Sequence, residues 1–287
     1  MFTIKAAAER VGVSPATLRA WERRYGLPSP ARTEAGYRLY SPDDVRVLRR
    51  VADLVRGGTP ASLAAEEALS RPTAPGPTPP DGATGELLRA AADLDAATAA
   101  RVLDRVFGAH SFETAIDDWV LPSLTALGEA WADGTVSVAG EHLVANAVMR
   151  RLAQAYEAAA GPRTGPRVLI GTGPGTRHEL GLFAFAVAAR RQGLNTDYLG
   201  ADLPVDEWQT ALLDPDVVAV VISMPGTADV APVEHVAAAA ARRDPPVLVA
   251  VGGAEQDRAP RAALRLGHQI GPAADALAGE LARLSRR

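Results

Sequence analysis

Between Arg167 and Gly252 the chain carries four short runs that read as buried strands, Arg167 to Thr172, Thr196 to Leu199, Val217 to Ser223 and Val247 to Gly252, each too short for a stable helix. Helical stretches of about a dozen residues separate them. Continuous apolar runs of this length read as strands covered on both faces, and strands joined through helices pair in parallel. The alternation predicts a doubly wound, flavodoxin-like sheet, with a short fifth strand around His268 to Ile270. Open α/β sheets bind ligands beyond the carboxyl ends of their strands. The segment there after the first run is Gly171-Thr-Gly-Pro-Gly-Thr-Arg-His178-Glu-Leu-Gly181, which offers an imidazole, His178, as a candidate metal ligand. A dinucleotide site competes for the same loop, because Gly171-x-Gly173 opens a nucleotide fingerprint and Asp197 ends the next strand, where a ribose-binding acid belongs. That fingerprint needs a third small residue, and Thr176 occupies its place.

The 287 residues leave room for two or three domains, and 47% hydrophobic with 22% charged residues is the balance of a globular protein. The absence of cysteine excludes disulfides and thiolate metal sites and suits a cytoplasmic protein. No apolar run reaches the roughly 18 residues of a membrane helix, so no membrane partner is expected. The net charge of −4 argues against nucleic acid until it is resolved along the chain. Met1 to Arg56 holds eleven Lys and Arg against six Asp and Glu, a net +5, and the remainder carries −9. Such asymmetry points to an amino-terminal module with a polyanionic partner.

Within that module one helix ends at Gly12, Ser14 can cap the next, and Pro15 suits its first position. Two short helices joined by a glycine-containing turn are helix-turn-helix grammar. Leu18, Trp21 and Tyr25 recur at helical spacing as a packing face, which leaves Arg19, Arg23 and Arg24 on the outer side of the second helix, the candidate DNA reader. Gly36 then allows a tight turn, and Ser41-Pro42-Asp43-Asp44 can cap a further helix. Leu18-Arg19-x-Trp21-Glu22-Arg23-Arg24-Tyr25-Gly26 with Gly36-Tyr37-Arg38-Leu39-Tyr40 resembles the winged helix-turn-helix of the MerR family. The resemblance implies binding to double-stranded promoter DNA as an oligomer, through Arg19, Arg23, Arg24, Tyr37 and Arg38.

Pro72 to Pro80 reads as a semi-rigid linker. From Gly85 to Ala160 four helical segments with short connections predict a four-helix bundle. The expected organisation is multidomain α plus α/β: a winged helix-turn-helix over 1–71, a linker over 72–83, a four-helix bundle over 84–162 and a Rossmann-like domain with a five-stranded parallel sheet over 165–287.

In the bundle, Trp131 is followed after nine residues by Glu141-His142, and in the α/β domain His178-x-x-Gly181 follows the first strand. Taken alone, Trp131 reads as a core anchor and Glu141-His142 as a helix-start pair. Together, and downstream of a MerR-like module, they resemble the CarH or LitR group of cobalamin-binding MerR-type photoreceptors. The resemblance implies adenosylcobalamin as cofactor, His178 as the lower ligand to cobalt, and Trp131, Glu141 and His142 around the upper axial group. Ser223, Gly252 and Gly253 match positions that line the cavity for the nucleotide tail, and Gly181 completes the loop motif. His110, His235 and His268 fit no motif and read as surface or cap residues.

The implied function is a non-enzymatic, cobalamin-dependent, light-responsive regulator, a repressor acting as a dimer or tetramer. Two departures from the family pattern stand out. Thr176 occupies the place of an acid two residues before the ligand His, and Trp131 is followed by Ala132 where the group commonly has a second His. Alanine cannot ligate a metal, so any light product is expected to lack a stable second imidazole on cobalt. A regulator with an empty sensor domain or another tetrapyrrole, and a subunit of a cobalamin-dependent methyltransferase or mutase, remain as alternatives.

Overall fold

Ser14 sets the start of the second helix in the amino-terminal unit. Its backbone is extended and its Oγ accepts the Thr17 amide at 3.0 Å, with Pro15 in the first turn. The computed structural model describes residues 2–11, 13–27, 31–32, 38–40, 44–45, 47–48, 51–52, 55, 61–70, 82–159 and 164–286. The chain divides into two units, 1–78 and 79–287. The first holds β1 (Phe2–Thr3), α1 (Ile4–Val11), α2 (Pro15–Tyr25), β2 (Ala31–Arg32), β3 (Arg38–Tyr40) and α3 (Ala61–Ser70), with the strands in an antiparallel sheet of order β1-β3-β2. Gly26 closes α2 in the left-handed region at φ 68°. Leu18 and Trp21 pack with Ala7, Ala8, Val11 and Tyr40 in a small core, as their spacing predicts. Gly36, Tyr37, Ser41, Pro42, Asp43 and the segment Pro72 to Pro80 lie outside the described residues.

The second unit opens with the bundle: α4 (Ala83–Ala92), α5 (Ala96–Ala109), α6 (Phe112–Ala115), a π-helical turn (Ile116–Val120) that runs on into α7 (Leu121–Ala132), and α8 (Val138–Ala158). Helix α4 begins at the last residue assigned to the linker. The bundle packs tightly where α8 crosses α4: a Cβ added at Gly140 would lie 2.2 Å from the Ala91 carbonyl oxygen, so only glycine permits this approach.

The sheet follows, with β4 (Arg167–Thr172), α9 (Leu180–Arg191), β5 (Asn195–Gly200), α10 (Val205–Ala211), β6 (Val217–Ser223), α11 (Val230–Ala241), β7 (Leu248–Gly252), β8 (Leu264–Arg265) and α12 (Ile270–Leu284). All its neighbours pair in parallel in the order β5-β4-β6-β7-β8, the flavodoxin-like arrangement that the sequence predicts. Alternate strand residues feed two cores. Val168, Ile170, Ala219 and Val221 face one side, while Leu169, Val220 and Ile222 join Trp208, Val233 and Val236 on the other. The first core is continuous with that of the bundle. Helix α9 lies between sheet and bundle, which is why Leu182 through Ala189 are all buried and why its sequence is apolar around the whole circumference.

The fifth strand is Leu264–Arg265 rather than His268 to Ile270. Ile270 instead begins α12, and Gly267, at φ 80°, turns the chain between them. Asp117 of the π-helical turn caps that helix: its Oδ1 and Oδ2 accept the Ile270 and Gly271 amides at 2.6 and 3.0 Å.

A candidate cofactor site between bundle and sheet

The order β5-β4-β6 makes the ends of β4 and β6 a topological switch point, where the following loops separate and leave a crevice. The loop after β4 carries His178. Its base is fixed by Thr172, whose Oγ1 donates to the Thr176 carbonyl at 2.6 Å, and by Asp202, whose Oδ1 accepts the Gly175 amide at 2.6 Å. His178 itself is exposed, and two cavities meet at it and at Gly181. A cleft of about 830 Å³ lies between this loop and helices α7 and α8. A smaller cavity of about 180 Å³ extends among the strand ends.

Trp131, Glu141 and His142 form the bundle side of the larger cleft, with Asn146 and Met149. Trp131 is 52% exposed, so the core-anchor reading of this residue does not hold. It ends an apolar helix face, with Leu124, Leu127 and Gly128, that lines the cleft. Ser137 caps α8 by accepting the Gly140 amide at 3.1 Å, which sets Glu141 in the first turn, where the helix dipole favours an acid. Glu141 Oε2 lies 3.5 Å from His142 Nε2.

Arg177 and Glu179 flank His178 on the same wall, and sequence reasoning passed over both. Glu179 accepts a 2.6 Å hydrogen bond from the Tyr198 hydroxyl. Burial first, and then this bond to a carboxylate, pushes the Tyr198 phenol well above its ordinary range, so it stays a donor. Tyr198 stacks on Phe183 at 4.3 Å, Phe183 meets Tyr156 of α8 at 5.5 Å, and the Arg190 guanidinium lies 4.2 Å over the Tyr156 ring. An aromatic column thus ties the residue after His178 to the last bundle helix.

Ser223, Gly252 and Gly253 line the smaller cavity, together with Phe185, Leu266 and His268. The two glycines differ in what they permit. Gly253 has φ 104°, and a Cβ there would lie 2.6 Å from the Met224 carbonyl oxygen, so the backbone itself demands glycine. A Cβ at Gly252 would meet nothing nearer than the Gly267 oxygen at 3.9 Å, so its smallness keeps cavity space open. His268, for which the sequence predicts a surface or cap position, is exposed but stands at the cavity wall, beside the buried Gln256 that bonds the Gly267 amide and carbonyl. Its place at the carboxyl edge of the sheet was the available signal.

The competing dinucleotide reading fails on Asp197. This residue lies inside β5 and accepts the Arg167 Nε at 2.7 Å; Arg167 also donates to Asp214. A ribose-binding acid must stand free at the strand's end.

In the amino-terminal unit Arg19, Arg23 and Arg24 are exposed along α2. Arg38 is half-buried and donates through Nε to Glu22 at 2.6 Å, which ties β3 to α2. Tyr37 lies outside the described residues.

A lone imidazole is a poor site for a bare ion but suffices for a metal already held in the plane of a macrocycle, as a proximal His is for haem. A cleft of 830 Å³ suits a large cofactor, and the adjoining cavity has room for an appended group. The residues present therefore fit a cobalamin. The chain matches the MerR HTH family regulatory protein over residues 2–66 and B12 binding domain families over residues 84–156 and 166–280. The HTH-type transcriptional repressor CarA of Myxococcus xanthus is 36% identical over 225 residues, which cover 75% of this chain and 74% of that protein. The chain belongs to the CarA/CarH family of transcriptional repressors. CarH of the same organism is 35% identical over 224 residues, 74% of this chain and 75% of that protein. The monomethylamine corrinoid protein of Methanosarcina barkeri has the same fold at 12% identity, with a TM-score of 0.56 over 68% of this chain and 96% of that one. This CarA/CarH-type repressor thus joins a DNA-binding module to a cobalamin-binding unit, and among its described residues no helix is long and apolar enough to cross a membrane.

Proposed function

We propose that this repressor holds adenosylcobalamin through His178 and responds to light by changing its association on operator DNA. The observation that carries this reading is the meeting of the two cavities at His178, with Trp131, Glu141 and His142 on the opposing helices of the larger one. His178 would hold the cobalt through an imidazole nitrogen. Ser223, Gly252, Gly253 and Gly181 would leave room for the nucleotide tail. When bound, the cofactor would supply a cobalt–carbon bond weak enough for visible light to break.

Trp131 presents an exposed indole to the side where the upper group would lie, and Glu141 and His142 add hydrogen-bonding groups beside it. Loss of contact with that group would leave α7 and α8 with an uncovered apolar face, which shifts the bundle between states of different association. A dimer or tetramer places two reader helices on adjacent half-sites, and the tether raises their effective concentration. Ala132, next to Trp131, offers no second imidazole to hold the illuminated state. The response is therefore expected to reverse when fresh adenosylcobalamin is supplied.

The test is operator binding by the full chain loaded with adenosylcobalamin, kept dark or illuminated, beside His178→Ala. Dark binding that is lost on illumination, and absent from the variant, supports the reading. Equal binding in light and darkness removes light as the signal.

A further inference from the structure

Thr176 stands two residues before His178, where the family resemblance calls for an acid. It is 7% exposed, and its hydroxyl donates to Oδ1 of Asp229, which is itself only 3% exposed. Asp229 belongs to the segment after β6, on the other side of the switch point. Its second oxygen accepts the Gly226 amide at 2.8 Å. A buried carboxylate is costly unless its lone pairs are met, and one of these partners comes from the His178 loop itself. The Thr176 carbonyl is engaged as well, by the Thr172 hydroxyl at 2.6 Å and the Asp202 amide at 3.1 Å. Asp202 adopts φ 59°, a conformation that its bond to the Gly175 amide helps to hold. Both neighbouring strand-end loops thus grip Thr176, the loop after β6 through its side-chain hydroxyl and the loop after β5 through its backbone carbonyl.

We infer that Asp229 is a positioning residue for His178 and does through Thr176 what an acid at position 176 does elsewhere in the family. The carboxylate has moved to a different loop, and the threonine hydroxyl links the two loops. Its action is geometric: the loop is ordered before the cofactor arrives, so less conformational freedom is lost on binding. The inference rests on the reading of His178 as the cobalt ligand. Supporting groups of this kind change metal affinity by about 10- to 100-fold.

The experiment uses the full chain and hydroxocobalamin, with Thr176→Val, Asp229→Asn, Thr176→Asp, the double variant T176D/D229N and His178→Ala. Affinity, visible spectrum, thermal midpoint and amide exchange over residues 173–178 are measured for each. Thr176→Val is expected to weaken binding by about 10- to 100-fold and to speed exchange in that loop while the bundle stays protected. Thr176→Asp crowds two carboxylates into one buried place and weakens binding too. Adding D229N leaves a single carboxylate and restores affinity to within about threefold of the parent, well short of the roughly 10-fold loss at the lower end of that range. The restoration separates positioning from a merely structural bond, which would lower the thermal midpoint in every variant without recovery in the double one. Unchanged binding in Thr176→Val and Asp229→Asn, or no recovery in the double variant, overturns the inference while the ligand reading stands if His178→Ala alters the spectrum. A parent-like spectrum in His178→Ala overturns the ligand reading, and this inference with it.

Discussion

Asp117, in the π-helical turn of the bundle, accepts the Ile270 amide at 2.6 Å and so caps a helix that belongs to the sheet domain. The Gly271 amide adds a second bond, and a Glu113–Arg191 ion pair at 2.7 Å lies nearby between the same two layers. The free amides and dipole of a helix start make a carboxylate there favourable. Ile270 also lines the smaller cavity. The contact that joins bundle to sheet therefore reaches the cofactor site.

Asp117→Ala is expected to lower stability by about 1.5 to 3 kcal/mol, the range for hydrogen bonds to a charged group. Urea unfolding of the cofactor-free chain measures it. A midpoint equal to that of the parent would mean that the cap contributes nothing to holding the layers together.

Gly252→Ala and Gly253→Ala should part company. The first introduces a methyl group into cavity space, so the thermal midpoint holds while hydroxocobalamin affinity falls by about 10- to 200-fold, as for one carbon too many in a fitted pocket. The second strains a left-handed backbone against Met224 and should lower the midpoint even without cofactor. Identical melting of all three proteins would contradict the assignment of backbone strain to Gly253.

The central strands were legible because burial on both faces writes a continuous apolar run into them, from Val168 to Ile170 as from Ala219 to Ile222. Leu264–Arg265 was not, since two residues on the sheet edge leave no such run. The π-helical turn was hidden for a related reason: one widened turn hardly disturbs the periodicity of Phe112 to Trp131. In the site, His178, Trp131, Glu141 and His142 carried a motif, and all four reach one cleft. Asp229, Asp202, Tyr198 and His268 carried none. They enter from loops and, for Tyr198, from a strand distant in sequence, where an Asp, Tyr or His is locally commonplace, and only the folded sheet edge assembles them.

Trp131→Ala should leave the fold nearly as stable as before, because the side chain is already half-exposed. Its effect is expected in selectivity, as a fall in the ratio of adenosylcobalamin to hydroxocobalamin affinity. Titration of both cofactors reads that ratio, and equal losses for the two would remove Trp131 from the upper face.

On DNA, Arg23→Ala is expected to relax base preference, while Arg38→Ala weakens all sequences alike and lowers the salt slope by about one if its guanidinium meets phosphate. Since Arg38 also pairs with Glu22, Glu22→Gln controls for the lost contact between β3 and α2. Salt-dependent binding isotherms decide; an unchanged slope in Arg38→Ala assigns that residue to the ion pair alone.

The central claim, that His178 ligates cobalt, is tested most directly by electron spin resonance of the full chain loaded with cob(II)alamin and grown on histidine carrying the spin-half nitrogen isotope. The unpaired electron points along the axial direction and couples to the nitrogen bound there. The account expects the nitrogen splitting to change from a triplet to a doublet on labelling, and the doublet to vanish in His178→Ala. A triplet that persists in the labelled protein would place the cofactor's own base on cobalt and contradict it.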